Sequence, residues 1–220
     1  ITQLHDTGED NTLYYSSWDN ALYELTWSQQ PEQARTIHLH NSNTPIYRIE
    51  GEANKLLIGT WGEGIKAYDK EQERIYPLPG TEHLGTTFIN AIYKDSRGFM
   101  WFGTAAGLAR YDGYRFKVFR STDNGSASLP DNYIEKIVED SEGRLWIRTG
   151  ENGYVIYNWD TESFVCDVRS RMWDIGIDGT PRYVFVDKQK NTWFAIDGKG
   201  CYCYRPGEKN AVSLPFGEKG

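Results

Sequence analysis

The chain has 220 residues, a formal net charge of -7, 39% hydrophobic and 15% aromatic residues, and 22 glycines. This composition predicts a folded globular protein and excludes a disordered chain. The negative charge and the lack of a Lys/Arg run argue against a nucleic-acid partner. No apolar stretch approaches the ~18 residues that cross a bilayer, so we expect membrane contact only through segments absent from this sequence.

The cysteines do not identify a cellular compartment. Their number is odd, and two of them, Cys201 and Cys203, alternate onto one face of a predicted strand. That spacing rarely suits a disulfide.

Five similar segments follow one another along the chain. They begin at Asn11 (NTLYYSSWDNALYEL), Asn54 (NKLLIGTWGEGIKAYD), Gly98 (GFMWFGTAAGLARYD), Gly143 (GRLWIRTGENGYVIYN) and Asn191 (NTWFAIDGKGCYCYR). Their equivalent anchor residues are Tyr14, Leu57, Trp101, Trp146 and Trp193, which are 43, 44, 45 and 47 residues apart. A nearly constant period in the forties predicts a β-propeller.

Each period contains about four short β-rich runs separated by turn residues, which predicts an all-β fold of four-stranded antiparallel blades. The predicted blades of this single domain, 1–220, are 1–40, 46–80, 88–120, 133–168 and 182–216. The third copy predicts strands at 88–94, 99–104, 108–111 and 115–119. The fourth predicts them at 133–139, 145–149, 154–157 and 163–168.

Turn chemistry explains the residue spacing that recurs from copy to copy. Asp95 and Asp140 are predicted turn formers, because an aspartate can accept bonds from the backbone two residues on. Gly98, Gly143 and Asn191, taken as equivalent, are expected to adopt the left-handed conformation that closes the hairpin. The recurring anchor side chains are expected to pack between neighbouring sheets rather than to bind sugar.

Two stretches, FINAIYKDSRGFMWFGTAAGLARYDGYRFKVFR and SLPDNYIEKIVEDSEGRLWIRTGENGYVIYN, resemble the two-component-regulator propeller repeat. The resemblance extends over essentially the whole chain and is strongest in the third and fourth copies. It implies the periplasmic sensor region of a hybrid two-component system of gut Bacteroidetes, responsive to glycans.

In that family a β-sandwich, a membrane helix and a histidine kinase follow the propeller, which more often has seven blades. The resemblance therefore implies that the five blades are part of a larger propeller, and a closed five-bladed ring is the alternative. It also implies that other domains of the same protein are its partners, and that any kinase activity lies outside this chain.

Sequence motifs for catalysis and cofactors are absent. The sequence has no G-x-S-x-G, H-E-x-x-H or G-x-x-x-x-G-K-[ST] pattern, so we expect neither enzyme activity nor a cofactor. His38 and His40 alternate on one face of a predicted strand without a third ligand, so no metal site is predicted. The sequon at Asn124 would matter only in a eukaryotic secreted protein.

One residue departs from the repeat. Arg148 occupies the position of Gly59 and Gly103, and period-2 alternation places it on the face of Trp146. A buried guanidinium requires a partner, so we expect it either to pair with a carboxylate such as Glu139 or Glu151 or to reach an anionic ligand.

Loops on one face of the disc are the expected ligand site, since a rigid scaffold positions them. The connector 169–173 supplies cationic and aromatic groups that suit carboxylates, sulfates and sugar rings. With Arg148, the candidate ligand-binding residues are Trp61, Glu63, Glu151, Asn152, Arg171, Trp173, Asp197 and Lys199.

Three functions remain open from the sequence. The leading one is a glycan-responsive sensory propeller with an oligosaccharide ligand. The second is a scaffold for protein–protein interaction, and the third is a carbohydrate-active lyase or hydrolase whose acid and base come from different blades. Exposed blade edges would favour pairing with another chain, so we also expect self-association, including a homodimer.

Overall fold

The computed structural model describes residues 3–6, 12–17, 20–26, 33–38, 44–52, 54–121 and 128–214. These residues form five four-stranded antiparallel sheets, each with its strands in chain order. The sheets are the blades of a β-propeller, which confirms the predicted fold class. The chain divides into two compact units, Ile1–Val118 and Phe119–Gly220.

The first unit contains blades 1 to 3, except for Phe119 at the end of blade 3, which belongs to the second unit. Blade 1 consists of β1 (Gln3–Asp6), β2 (Thr12–Ser16), β3 (Ala21–Thr26) and β4 (Gln33–His38). Blade 2 consists of β5 (Ile46–Glu52), β6 (Lys55–Thr60), β7 (Ile65–Asp69) and β8 (Arg74–Pro77). A 3-10 helix, Thr81–Leu84, precedes blade 3, which consists of β9 (Ile89–Lys94), β10 (Met100–Thr104), β11 (Gly107–Tyr111) and β12 (Phe116–Phe119).

The second unit contains blades 4 and 5. Blade 4 consists of β13 (Ile134–Glu139), β14 (Leu145–Thr149), β15 (Gly153–Asn158) and β16 (Ser163–Val165). A short helix, α1 (Arg169–Asp174), connects it to blade 5. That blade consists of β17 (Tyr183–Val186), β18 (Thr192–Ile196), β19 (Gly200–Tyr204) and β20 (Val212–Leu214). Among the described residues, no helix has the length and hydropathy of a membrane span.

Most of the strands predicted in the third and fourth copies lie within one residue of the observed ones. Two local predictions were wrong. The last strand of blade 4 ends at Val165, and the connector that follows it is helical. The left-handed residue of the blade 5 hairpin is Lys190, with φ 65, rather than Asn191. Lys190 lies three residues after Asp187, as Gly98 and Gly143 lie three after their aspartates.

A repeated Asp–Trp pair closes the first hairpin of blades 3, 4 and 5. In blade 4, Asp140 Oδ1 accepts bonds from the backbone N–H groups of Glu142 and Arg144 at 2.9 and 3.0 Å. Its Oδ2 accepts a bond from Nε1 of Trp146 at 2.8 Å. Asp95 with Trp101, and Asp187 with Trp193, make the same indole bond at 2.6 and 2.9 Å. The aspartate is thus a turn former, as predicted, and it also fixes the anchor indole.

The cores lie between neighbouring sheets within each unit. Trp146 is fully buried and its ring lies 5.4 Å from that of Phe194 across the blade 4–blade 5 contact. Lys136 Nζ donates to the Val184 carbonyl at 2.8 Å, and the Val184 N–H donates to the Tyr154 hydroxyl at 3.1 Å. These contacts fix the register of the two sheets and position the loops at their edge.

Candidate functional site

A surface depression of about 420 Å³ lies between blades 4 and 5 of the second unit. We call it the blade 4/5 depression. It is lined by Arg148, Gly150, Glu151, Asn152, Gly153, Gly179, Thr180, Pro181, Arg182, Ile196, Asp197 and Lys199. The structure therefore brings five of the nine predicted ligand-binding residues together.

The β14–β15 and β18–β19 turns form two walls of this depression. Glu151 and Asn152 are at the first turn, while Asp197 and Lys199 are at the second. Gly150 allows a close approach of the backbone, because a Cβ there would lie 2.5 Å from Oδ2 of Asp131. The turns of two packed blades thus present four polar side chains from a rigid base.

Arg148 lines the depression, and its partner differs from both predicted carboxylates. Its Nε atom lies 2.8 Å from Oε2 of Glu135, on the adjacent strand β13. Glu139 and Glu151 were therefore the wrong partners. Arg148 pairs with Lys136, next to the bulge between Ile134 and Lys136 that contains Glu135. Glu139 pairs with Leu145, at the other end of β14.

The guanidinium of Arg148 also lies over an aromatic ring. Its carbon is 4.8 Å from the centroid of Tyr183, and that of Arg182 is 6.0 Å from the same ring. The side chain of Arg148 is only 12% exposed, whereas Tyr183 is 52% exposed. Cation–π contacts of this kind hold a guanidinium in place and leave part of the ring open to a ligand.

Three polar side chains of the depression are available to a ligand. Glu151, Asn152 and Asp197 are exposed. No hydrogen bond or ion pair joins their side chains to any other described residue. They supply carboxylate acceptors and an amide that both donates and accepts, which is the chemistry that sugar hydroxyls require.

Lys199 is held at the rim by a short polar chain. Its Nζ donates to the Asp178 carbonyl at 2.8 Å and to Oδ2 of the same residue at 2.5 Å. This bond to Lys199, and a smaller contribution from the Trp173 indole, lower the pKa of Asp178. Trp173, which is 63% exposed, interacts with Asp178, and Asp178 binds the lining residue Lys199. Trp173 therefore lies near the depression.

Arg171 does not join the predicted set. Its Nη2 atom donates to Oε1 of Glu142 at 3.0 Å, and its guanidinium carbon lies 5.2 Å from the centroid of the Tyr204 ring. Glu142 belongs to the β13–β14 turn, at the opposite end of β14 from Glu151. Because residues two apart on a helix do not face each other, Arg171 and Trp173 of α1 point to different edges of the blades.

Trp61 and Glu63 belong to the first unit, at the β6–β7 turn. Trp61 is 47% exposed and its ring lies 6.1 Å from that of Tyr47 and 6.0 Å from that of Phe88. Glu63 forms an ion pair with Lys66. Trp61 thus belongs to an exposed aromatic cluster, and the charge of the nearby Glu63 is neutralised by Lys66.

The sequence did not predict Gly179, Thr180, Pro181 and Arg182 as lining residues. They lie in the connector before β17, where no repeat pattern singles them out. These residues line the depression because the connector lies against blade 4, and only the packing of the two blades determines that placement.

The described residues contain no group of three or more His, Cys, Asp or Glu side chains arranged to hold a metal. Cys166, Cys201 and Cys203 are free thiols. The side chain of His38, and His40 and the sequon at Asn124, lie outside the residues whose structure is described.

Comparison with known families supports the resemblance. Residues 83–106 and 128–151 match the family model described as "Two component regulator propeller". These segments lie in the third and fourth copies, so the predicted repeat family is confirmed there. No curated protein matches the sequence.

Solved structures share the fold. The extracellular domain of BT4673 from B. thetaiotaomicron, described as a putative hybrid two component system, matches with a TM-score of 0.68 and 20% identity, over 97% of this chain and 30% of that one. That of BT3049, also from B. thetaiotaomicron and described in the same way, matches with a TM-score of 0.62 and 20% identity, over 97% and 27%. The WD40 β-propeller domain of Doa1 matches at 0.56 and 9% identity, over 96% and 68%. The chain thus spans less than a third of the two extracellular domains.

Proposed function

We propose that this chain, two of whose blades contain two-component regulator propeller repeats, is a sensory module. In this proposal it belongs to the extracytoplasmic, periplasmic part of a hybrid two-component signalling protein and recognises an oligosaccharide. The observation that carries the proposal is the convergence of Arg148, Glu151, Asn152, Asp197 and Lys199 in one depression. The family match and the similarity to the extracellular domains of two putative hybrid two component systems support the signalling context.

The chemistry of the blade 4/5 depression suits a saccharide. Its volume of about 420 Å³ falls within the roughly 300–1,000 Å³ of small-molecule sites. Glu151, Asn152 and Asp197 offer hydrogen bonds to ring hydroxyls, and the half-exposed ring of Tyr183 offers an apolar surface beside them. Arg148 is fixed by Glu135 and Tyr183, so little side-chain entropy is lost when it contacts a ligand.

Signal transmission follows from differential binding. A ligand held by the turns of blades 4 and 5 stabilises the arrangement in which both turns contact it. The equilibrium between two arrangements of the larger protein then shifts by the difference between the ligand's affinities for the two arrangements. The chain itself supplies recognition in this scheme, and catalysis belongs to other domains of the protein.

Thermal unfolding with a panel of neutral and anionic oligosaccharides tests the proposal. A ligand at about ten times its Kd is expected to raise the Tm of the chain by about 3 °C. Asp197→Ala and Asn152→Ala should remove that shift, while Glu208→Ala, an exposed acid in the β19–β20 turn, should keep it. A panel without any shift, or a shift that survives both site substitutions, would refute recognition at this depression.

A second candidate function is a scaffold for another protein. One face of blade 5 carries exposed apolar side chains on its two edge strands, β17 and β20: Tyr183 at 52%, Phe185 at 57%, Val212 at 49% and Leu214 at 45%. An apolar sheet face of this kind favours contact with a protein surface. A partner that protects this face, together with no response to any saccharide, would favour the scaffold over the sensor.

A further inference from the structure

A second depression, of about 240 Å³, lies in the first unit between blades 2 and 3. We call it the blade 2/3 depression. It is lined by Gly51, Lys55, Leu57, Lys94, Gly98, Met100, Tyr111, Asp112 and Gly113. It lies beside the first hairpins of both blades, whereas the candidate site described above uses the turns between second and third strands.

The depression exists because blade 2 lacks the Asp–Trp pair of the later blades. The anchor position holds Leu57 where blades 3 and 4 hold Trp101 and Trp146. Strand β5 ends at Glu52 and β6 begins at Lys55, so the connection between them is shorter than the one between β9 and β10. A side chain at Gly51 is excluded, because a Cβ there would lie 2.3 Å from the Lys55 carbonyl oxygen.

The equivalent place between blades 4 and 5 is filled. Trp146 is fully buried there, and the longer β13–β14 turn brings Glu142 to the Tyr204 hydroxyl at 2.8 Å. Tyr111 has the same position in blade 3 as Tyr204 has in blade 5, since each pairs with the first residue of the second strand. The Tyr111 hydroxyl instead donates to the Gly113 carbonyl at 2.6 Å.

The charges around the blade 2/3 depression favour an anion. Lys55 and Lys94 contribute two ammonium groups from opposite blades, and Lys94 also interacts electrostatically with the buried carboxyl of Glu50, which is not a lining residue. The one lining carboxylate, Asp112, already accepts backbone N–H bonds from Arg115 and Tyr114 at 2.7 and 2.8 Å, and these bonds lower its pKa. Leu57 and Met100 add an apolar floor.

We infer that the blade 2/3 depression binds a small carboxylate with a ring body, of the size of one acidic monosaccharide. The volume lies below that of sites for drug-sized ligands, which limits the ligand to about one ring. In this assignment the ligand carboxylate lies between Lys55 and Lys94, and its ring covers Leu57 and Met100. The inference is independent of the oligosaccharide site in the second unit.

The test uses D-glucuronate as the probe and D-glucose as its neutral match at equal ionic strength. Glucuronate at about ten times its Kd should raise the Tm by about 3 °C, and glucose should not. Lys94→Met and Lys55→Met should each weaken glucuronate binding about tenfold in calorimetry, because a charge-assisted bond is lost. Lys117→Met, an exposed lysine in β12, is the matched control and should bind normally.

Leu57→Trp tests where the ligand binds, without changing the charge of the depression. The indole should occupy the depression as Trp101 and Trp146 occupy their sites, and it should abolish the response to glucuronate while leaving the response to oligosaccharides. If this variant does not fold, the two lysine substitutions decide the question. The inference is overturned if wild type does not respond to glucuronate, if glucose binds equally, if Lys117→Met loses as much affinity as Lys94→Met, or if folded Leu57→Trp still responds.

Discussion

We expect the stability of the first unit to fall as the pH rises, because of the buried carboxyl of Glu50, and we expect Glu50→Gln to remove this dependence. Its carboxylate lies 3.9 Å from Nδ1 of His5, and Oε1 accepts the Gly51 N–H at 3.2 Å. Burial raises the pKa of Glu50 from 4.5 to about 7, against smaller opposing effects of Gly51 and Lys94. Burial also lowers the pKa of His5. The corresponding positions of blades 3 to 5, which pair with the anchor residue, are Tyr93, Val138 and Phe185.

The expected magnitude follows from the two pKa values. Below pH 4.5 the carboxyl of Glu50 is protonated in both folded and unfolded chains, so its stabilising contribution is fully present. As the pH rises through about 7, that contribution is lost, because the unfolded chain releases the proton first. The change corresponds to about 3 kcal/mol in the free energy of unfolding. It is an upper figure, since the side chain keeps 25% of its area exposed.

Glu50→Gln removes the titration and keeps an acceptor for the Gly51 N–H. We expect the variant to match wild type at about pH 4 and to exceed it by up to about 3 kcal/mol at about pH 8. Urea denaturation across this range, with amide exchange in β5 as a local reporter, measures the difference. Glu82→Gln, whose side chain is 71% exposed, is the control. An equal difference between Glu50→Gln and wild type at both pH values would refute the reasoning.

Three further substitutions test other contacts. Asp140→Ala should lower the free energy of unfolding by about 3 kcal/mol in urea, because the Trp146 indole and two backbone N–H groups lose a charged acceptor. Gly51→Ala should destabilise the chain by about 2 kcal/mol or more, because its Cβ would lie 2.3 Å from the Lys55 carbonyl oxygen. Phe185→Lys should reduce the predicted self-association, measured by light scattering, because it charges the exposed face of blade 5.

Each of these has a matched control. Asp160→Ala, an exposed acid in blade 4, should change stability by less than about 0.5 kcal/mol. Gly64→Ala, at φ +75 with nothing within 4 Å of the added Cβ, should cost only the backbone strain of about 1 kcal/mol. Tyr114→Lys, at a residue 89% exposed, should leave association unchanged. Controls that change as much as the test variants, or a wild-type chain that is monomeric at all concentrations, would contradict these expectations.

Local patterns in the sequence determined the blades. The spacing of the anchors and the Asp-x-x-Gly turns predicted where strands begin and end, because hairpin closure depends on residues two to four apart. The same logic identified Asp95 and Asp140 as turn formers. It missed their bond to Trp101 and Trp146, since a contact across six residues becomes visible only when the indole direction is known.

Tertiary structure decided which side chains meet. The sequence by itself determined the blade architecture and the turns that carry Glu151, Asn152, Asp197 and Lys199. It could not determine the partner of Arg148, because strand alternation does not show the bulge in β13 that brings Glu135 beside it. Nor could it separate Arg171 from Trp173, because their directions depend on a helix that packs against two blades. The place of Arg182 in the blade 4/5 depression and the space beside Leu57 likewise depend on the distance between neighbouring sheets. Sequence periodicity carries no information about that distance.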